Sequence, residues 1–482
     1  MNDSIAVSKT MKSDFEKNAL FVAFSFPPIA SAGVHRALRF VRFLPDHDWH
    51  TTILTAAPNA QSKLDLGLES LVPEGLEVNR VALVRPEEVI KDRMKSLMGR
   101  SRLSPHSDQA VEQQSGASGF QTNSEGASPS PSRRRSRFQL QRTRSQITEL
   151  LFAIPDTRVG WKKNAVDCGL EIVRQSQPSV VYATGPPFST LLVGQEIAKK
   201  SNLPLVLDFR DPWTRVPWGP RNKSWLANRW VAKLEEKCVR DAAAVILNTA
   251  ELEQDFVTHY AHLPRDRFVS IPNGFDPEAR LRVESYMDEA KSLPQDNKPF
   301  RLLHPGSLYR NRDPRQIIDA IAKVKQRGVH VVLEQVGFCD PGFDLENYAK
   351  AKGVGDRVEI HPAVPHEQML RRMAEVDGFI LLQPGTALQV PGKLFEMILF
   401  KKPILAICVP GAVSRIVNEF GIGTIAEDGS VDSIADAVCK MVGPIQLQPR
   451  WNDVASEFDG EHLTARLAKV FAKVTRNADA RE

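Results

Sequence analysis

Two short stretches carry residues whose types and spacing could do chemistry. In VPGKLFEMILFKKPILAI (390–407), Lys393 and Glu396 stand three residues apart at the start of a short apolar helix. A solvated pair at that spacing contributes only about 0.2–0.5 kcal/mol. The alternative is a ligand site, because a lysine at the positive end of a helix is disfavoured unless an anion joins it. In HPGSLYRNRDP (304–314), Gly306 permits close backbone approach while Arg310 and Arg312 flank a helix start. Guanidinium groups there suit a bidentate grip on phosphate oxygens; the competing reading is two solvated arginines. Both stretches are strand-to-helix junctions, where open α/β sheets gather anionic ligands.

The elements that must position these residues alternate along the chain. ALFVAFSF (19–26), TTILTA (51–56), VVYATG (180–185), LPLVLDF (203–209), AAVILNT (243–249) and RFVSIPNG (267–274) read as strands, with helical-period runs between them. The rhythm restarts with FRLLHPGS (300–307), VHVVLEQVG (329–337), VEIHPAV (358–364), GFILLQ (378–383) and KPILAICV (402–409). Strands alternating with helices predict parallel sheets covered on both faces. The expected organisation is α/β, two doubly wound Rossmann-like domains facing across a cleft. We place the first domain at 18–275, a linker at 276–298, the second domain at 299–450, and a closing helix and tail at 451–482. Asp313 with Pro314 reads as an N-cap and first helical residue.

Residues 100–146 break the rhythm. They are rich in Ser, Gln, Gly and Arg, including SPSPSRRRSRFQLQRTRSQ, and too poor in apolar residues to offset chain entropy, so they read as a disordered insertion. The Arg run could touch anionic lipid or nucleic acid, but no aromatic stacking platform accompanies it. A chain of 482 residues with a net charge of +5 suits an anionic small ligand or a loosely held membrane surface and does not call for specific nucleic acid. The five scattered cysteines contain no Cys-x-x-Cys pair, so reduced thiols in the cytoplasm are expected. The histidines show no metal-ligand spacing, and no Gly-x-Ser-x-Gly elbow or Walker loop is present.

Taken in order, HPGSLYRNRDPRQIIDAI and VPGKLFEMILFKKPILAI resemble the donor half of the GT-B glycosyltransferases of the family 4-like group. FSFPPIASAGVHRALRFVRFLPDHDWHTTILT, IPDTRVGW and VVYATGPPFSTLLVGQEIAKKSNLPLVLDFRDPW resemble the acceptor half. The resemblance implies that Gly306, Ser307, Arg310 and Arg312 hold the donor diphosphate. Pro391, Gly392, Lys393, Leu394 and Glu396 complete that side, with Glu396 on the ribose hydroxyls. Ser307 stands where the family often has a second basic residue, and Leu388 stands where its first glutamate falls. On the acceptor side the resemblance points to Gly33, Arg36, Thr184 and Gly185. Arg36 could meet a phosphate, or Arg36, Arg39 and Arg42 could form one solvated face. Arg210 and Asp211 fall where many members carry a cleft histidine; a buried Arg–Asp pair is the structural alternative.

The function so implied is a retaining glycosyltransferase, with Arg312, Lys393, Arg210 and Asp211 as its catalytic group. It would move a sugar from a nucleotide sugar to a glycan or lipid-linked acceptor in polysaccharide or cell-envelope biosynthesis. No cofactor and no metal are expected, and a cytoplasmic location, peripheral at the inner face of an anionic membrane, is the family expectation. Two other readings keep the architecture: a UDP-sugar 2-epimerase, for which no carboxylate pair is evident, and a non-catalytic glycan- or nucleotide-binding protein.

Overall fold

The computed structural model describes residues 17–31, 33–60, 62–84, 154–215, 225–291, 298–309, 312–443 and 448–480. The insertion expected at 100–146 and its arginine run lie outside the described residues, as does Arg310.

Two parallel sheets form where the apolar runs predict them. The first contains β1 (Lys17–Ala23), β2 (Trp49–Ala56), β3 (Glu77–Val81), β4 (Val180–Gly185), β5 (Leu205–Phe209), β6 (Ala244–Leu247) and β7 (Phe268–Ser270). Its strand order is 3-2-1-4-5-6-7. The second contains β8 (Phe300–Pro305), β9 (Val331–Val336), β10 (Val358–His361), β11 (Gly378–Gln383), β12 (Ile404–Cys408) and β13 (Gly423–Glu427), ordered 10-9-8-11-12-13. Central strands such as β4 and β11 are buried along their whole length. That is what a parallel sheet sandwiched between helix layers demands. In each sheet the order reverses beside the first strand, which opens a crevice at the carboxyl ends.

Within the segment expected to be a linker, Pro277–Lys291 forms a helix. Val283 and Tyr286 bury against the helix His366–Glu375 of the second domain, so this stretch extends that domain. The helix after HPGSLYRNRDP begins at Arg315, and the Asp313 carboxylate accepts the Arg315 N–H at 3.0 Å. The closing helix, Gly460–Asp479, crosses back to the first sheet. There Phe471 packs edge-on against Phe21, Trp49 and Tyr182. Fully burying a side chain of this size contributes about 2–3 kcal/mol.

The chain thus passes between the sheets twice, and the passages lie side by side. Phe275 N–H donates to the Phe458 carbonyl at 3.1 Å. A Cβ at Gly274 would come within 2.1 Å of that same oxygen, so only glycine allows the approach.

Candidate active site

The donor side assembles around Gly306, whose φ of 120° is open to glycine and strained for other residues. Behind it stands Gly337, against which the Gly306 carbonyl packs so tightly that a Cβ at 337 would lie 2.5 Å from it. Lys393, first residue of the helix Lys393–Leu399, points at this loop rather than at Glu396. Its Nζ donates to His304 Nε2 at 2.9 Å and to the Pro305 carbonyl at 3.3 Å. His304 is fully buried at the end of β8, with Nδ1 2.7 Å from Gln335 Oε1, and Gln335 Nε2 donates to the Gly306 carbonyl at 2.8 Å. Arg312 stands on the other flank, held weakly by Gln383 Oε1 at 3.4 Å, with Tyr309 beneath its guanidinium.

Burial, and then the neighbouring Arg312 charge, lower Lys393 to about 7. Burial, with Lys393 next, keeps His304 neutral, its pKa well below the ordinary value. Arg312 and Lys393 thus face one space, and no carboxylate contributes to the balance at Lys393. The i,i+3 salt bridge between Lys393 and Glu396 does not form. Glu396 instead accepts from His366 Nε2 at 3.1 Å, and that hydrogen bond raises the His366 pKa. Ser307 is half-buried beside Gly306, and Pro391 and Gly392 lead into the helix, with open space around Gly392. Leu394 is corrected: one residue on from Lys393, it turns into the core and is fully buried, and its N–H is taken by the Pro391 carbonyl.

The acceptor side needs more correction. Arg36 is neither a phosphate ligand nor a solvated residue. It forms a buried bidentate pair with Asp208, at 2.9 and 2.8 Å, and also donates to the Ile271 and Pro272 carbonyls and Asn273 Oδ1. All five donors are committed. Arg39 and Arg42 also pair with carboxylates, Arg39 with the part-buried Asp276 and Arg42 with the exposed Glu278. Thr184 is buried and gives its hydroxyl to Asp208 at 2.8 Å, so it supports the arginine beneath the cleft rather than facing a ligand.

Gly33 and Arg210 do come together. A Cβ at position 33 would sit 1.3 Å from Arg210 Nη1, so the guanidinium occupies the space that the missing side chain leaves. Arg210 donates to the carbonyls of Gly185 and Pro186, and burial lowers its pKa. The structural alternative, an Arg210–Asp211 pair, does not form: Asp211 accepts from Gln389 Nε2, across the cleft. Thr249 Oγ1 also crosses, donating to the Leu388 carbonyl at 2.8 Å, and the Leu388 side chain packs on the first domain's apolar cluster. An apolar docking residue thus holds the position where the family's first glutamate falls.

His304, Gln335, Gln383, His366 and Gln389 escaped the sequence reading. The first two carry a signal: each is a buried polar residue near the carboxyl end of a mostly apolar strand, which also holds Arg301 on β8 and Glu334 on β9.

Comparisons with known proteins bear on the family and the fold. The model of Glycosyltransferase Family 4 matches residues 130–279, and that of Glycosyl transferases group 1 matches residues 299–443. No curated protein matches the chain. Among solved structures, sucrose-phosphate synthase from Thermosynechococcus elongatus aligns with a TM-score of 0.62 at 12% identity, over 95% of this chain and 98% of that one. HepE from Anabaena in complex with UDP aligns at 0.58 and 15% identity, over 95% and 100%. WaaG, a glycosyltransferase involved in lipopolysaccharide biosynthesis, aligns at 0.51 and 14%, over 94% and 99%. At such identities these structures speak for the fold alone. With one family model on each half, the chain belongs to the GT-B glycosyltransferases of the family 4-like group.

Proposed function

We propose that the protein transfers a sugar, with retention of anomeric configuration, from a nucleotide sugar to a glycan or lipid-linked acceptor in cell-envelope or polysaccharide biosynthesis. One observation carries the reading. Arg312 and Lys393 converge before Gly306 with no carboxylate balancing Lys393, an arrangement that a diphosphate would complete. HepE, a neighbour in fold, is known in complexes with UDP and UDP-glucose.

In this mechanism the two cations stabilise the charge that grows on the leaving diphosphate, and they can do so without a metal. Glu396 exchanges His366 for the ribose hydroxyls. The anomeric carbon–phosphate oxygen bond breaks as the bond to the acceptor oxygen forms on the same face. The acceptor proton passes to the departing phosphate oxygen, so no paired carboxylates are required. Arg210, seated over Gly33, orients the acceptor. A thermal-shift panel of UDP, GDP, ADP and TDP sugars, followed by NMR of the product anomer, tests the reading. An inverted product, or no stabilisation by any of these nucleotides, would overturn it.

A lipid-associated acceptor is favoured by the helix Trp225–Asp241, which lies between β5 and β6 in the chain and packs on the first sheet. Trp225 and Trp230 are 70% and 51% exposed, beside exposed Leu226 and the cations Arg229, Lys233 and Lys237. Aromatic and aliphatic groups interleaved with cations suit an anionic lipid interface. Among the described residues no helix is long and apolar enough to cross a membrane. All five cysteines are free thiols, in keeping with work at the cytoplasmic face. Co-sedimentation with vesicles containing phosphatidylglycerol, but not with phosphatidylcholine alone, is the expected result.

A further inference from the structure

Lys393 is held by a side chain that neither the family resemblance nor the matched models assign. The carbonyl of Gly306 can only accept, so the amide nitrogen of Gln335 must face it, at 2.8 Å. That orientation turns Gln335 Oε1, also only an acceptor, toward His304 at 2.7 Å. The His304 proton therefore sits on Nδ1, which leaves Nε2 with a bare lone pair 2.9 Å from the Lys393 ammonium. Two of the three ammonium N–H groups are thus engaged by His304 and the Pro305 carbonyl. The third is left for a ligand. The same three side chains tie the ammonium to the backbone of the Gly306 loop, so the charge and the loop move as one unit.

We propose that His304 is a positioning residue whose unprotonated Nε2 aims the Lys393 ammonium at the diphosphate space before Gly306, and that Gln335 fixes the ring tautomer this requires. The inference rests on reading that space as a diphosphate site. A merely buried histidine would fill volume without discriminating between its two nitrogens. A charged ring would repel the ammonium it now holds, and the surrounding burial, together with Lys393, keeps the ring neutral.

Two measurements test the proposal. Long-range proton–nitrogen spectra of histidine-labelled protein, with the His304 signal identified by its loss in His304→Phe, should show a neutral ring protonated at Nδ1 from pH 5.5 to 8. A ring protonated at Nε2, or one that titrates in that range, overturns the proposal even if no nucleotide binds, so its failure is separable from that of the diphosphate reading. Calorimetry with the tightest-binding of UDP, GDP, ADP and TDP supplies the second test. His304→Phe should weaken binding by about 10-fold or more, the scale of a lost hydrogen bond to a charged group. His304→Gln, which keeps an acceptor within reach of the ammonium, should recover most of it, and Gln335→Met should fall between. In a Lys393→Met background His304→Phe should cost nothing further. Equal losses with and without Lys393 would reduce His304 to packing.

Discussion

Lys393→Met keeps the apolar stem of the side chain and deletes the ammonium, so it should move two properties in opposite directions. The lysine titrates at about 7 instead of 10.5 because burial and Arg312 disfavour its charge. At ~1.4 kcal/mol per pH unit, that gap sets a ceiling of roughly 5 kcal/mol on the strain in the free protein. The side chain is only half-buried, and water screening brings the usable figure to about 2 kcal/mol. The sign follows from which state holds the proton. Below about pH 7 the folded lysine is charged and the full strain is present. As pH rises from 7 towards 10.5 the folded lysine sheds its proton while the unfolded one keeps it, so the strain fades. Urea denaturation should therefore show the variant more stable than the parent by about 2 kcal/mol at pH 6 and by clearly less at pH 9. Nucleoside diphosphate binding should weaken in the same variant. A diphosphate recharges the lysine, so at pH 8 the parent should take up about one proton on binding, measurable by calorimetry in buffers of different ionisation heat. An equal stability gain at both pH values, or binding without proton uptake, would refute the reasoning.

Arg36→Met strands the buried Asp208 carboxylate and should cost about 3–5 kcal/mol in urea denaturation; a loss below 1 kcal/mol would mean that the pair is not buried in solution. Gly33→Val displaces the Arg210 guanidinium, so transfer to acceptor should fall by about 100-fold while the donor KM holds, a split that steady-state kinetics reads directly. Glu396→Gln removes the partner that raises His366, so the ring should titrate closer to 6.5 by NMR. In the same variant nucleoside diphosphate affinity should drop about 10-fold while inorganic pyrophosphate binds as before. Parallel losses for both ligands would remove Glu396 from the ribose.

The alternation of apolar runs with helical-period runs predicts both sheets, because burial on both faces favours largely apolar strands such as β4 and β11 over alternating ones. Arg312 and Lys393 stand out for a different reason, because cations near the amino end of a helix are disfavoured by its dipole, whereas Gly306 and Glu396 stand out through the family resemblance. What spacing does not carry is the partner of each charge. Arg36, Arg39 and Arg42 recur like a solvated stripe, yet each meets a carboxylate or carbonyl more than 170 residues away in sequence. The helix Pro277–Lys291 stayed hidden because its face is mostly polar, and only Val283 and Tyr286 bury deeply. Nothing in the sequence links His304 to Gln335 until β8 and β9 pair and set them side by side.

The paired crossings at Phe275 and Phe458 act together as a flexure. One strand of chain between two bodies is a swivel; two strands bonded side by side permit bending and resist torsion. Arg39 reinforces the joint by reaching from the helix Val34–Phe43 to Asp276 and the Gly274 carbonyl. Any parting of the two halves is thereby confined to bending about that joint, and the hydrogen bonds of Thr249 to the Leu388 carbonyl and of Gln389 to Asp211 tie them on the cleft side. Alignment across the gap is thus stored at two margins, in the paired crossing and in these cleft-side bonds.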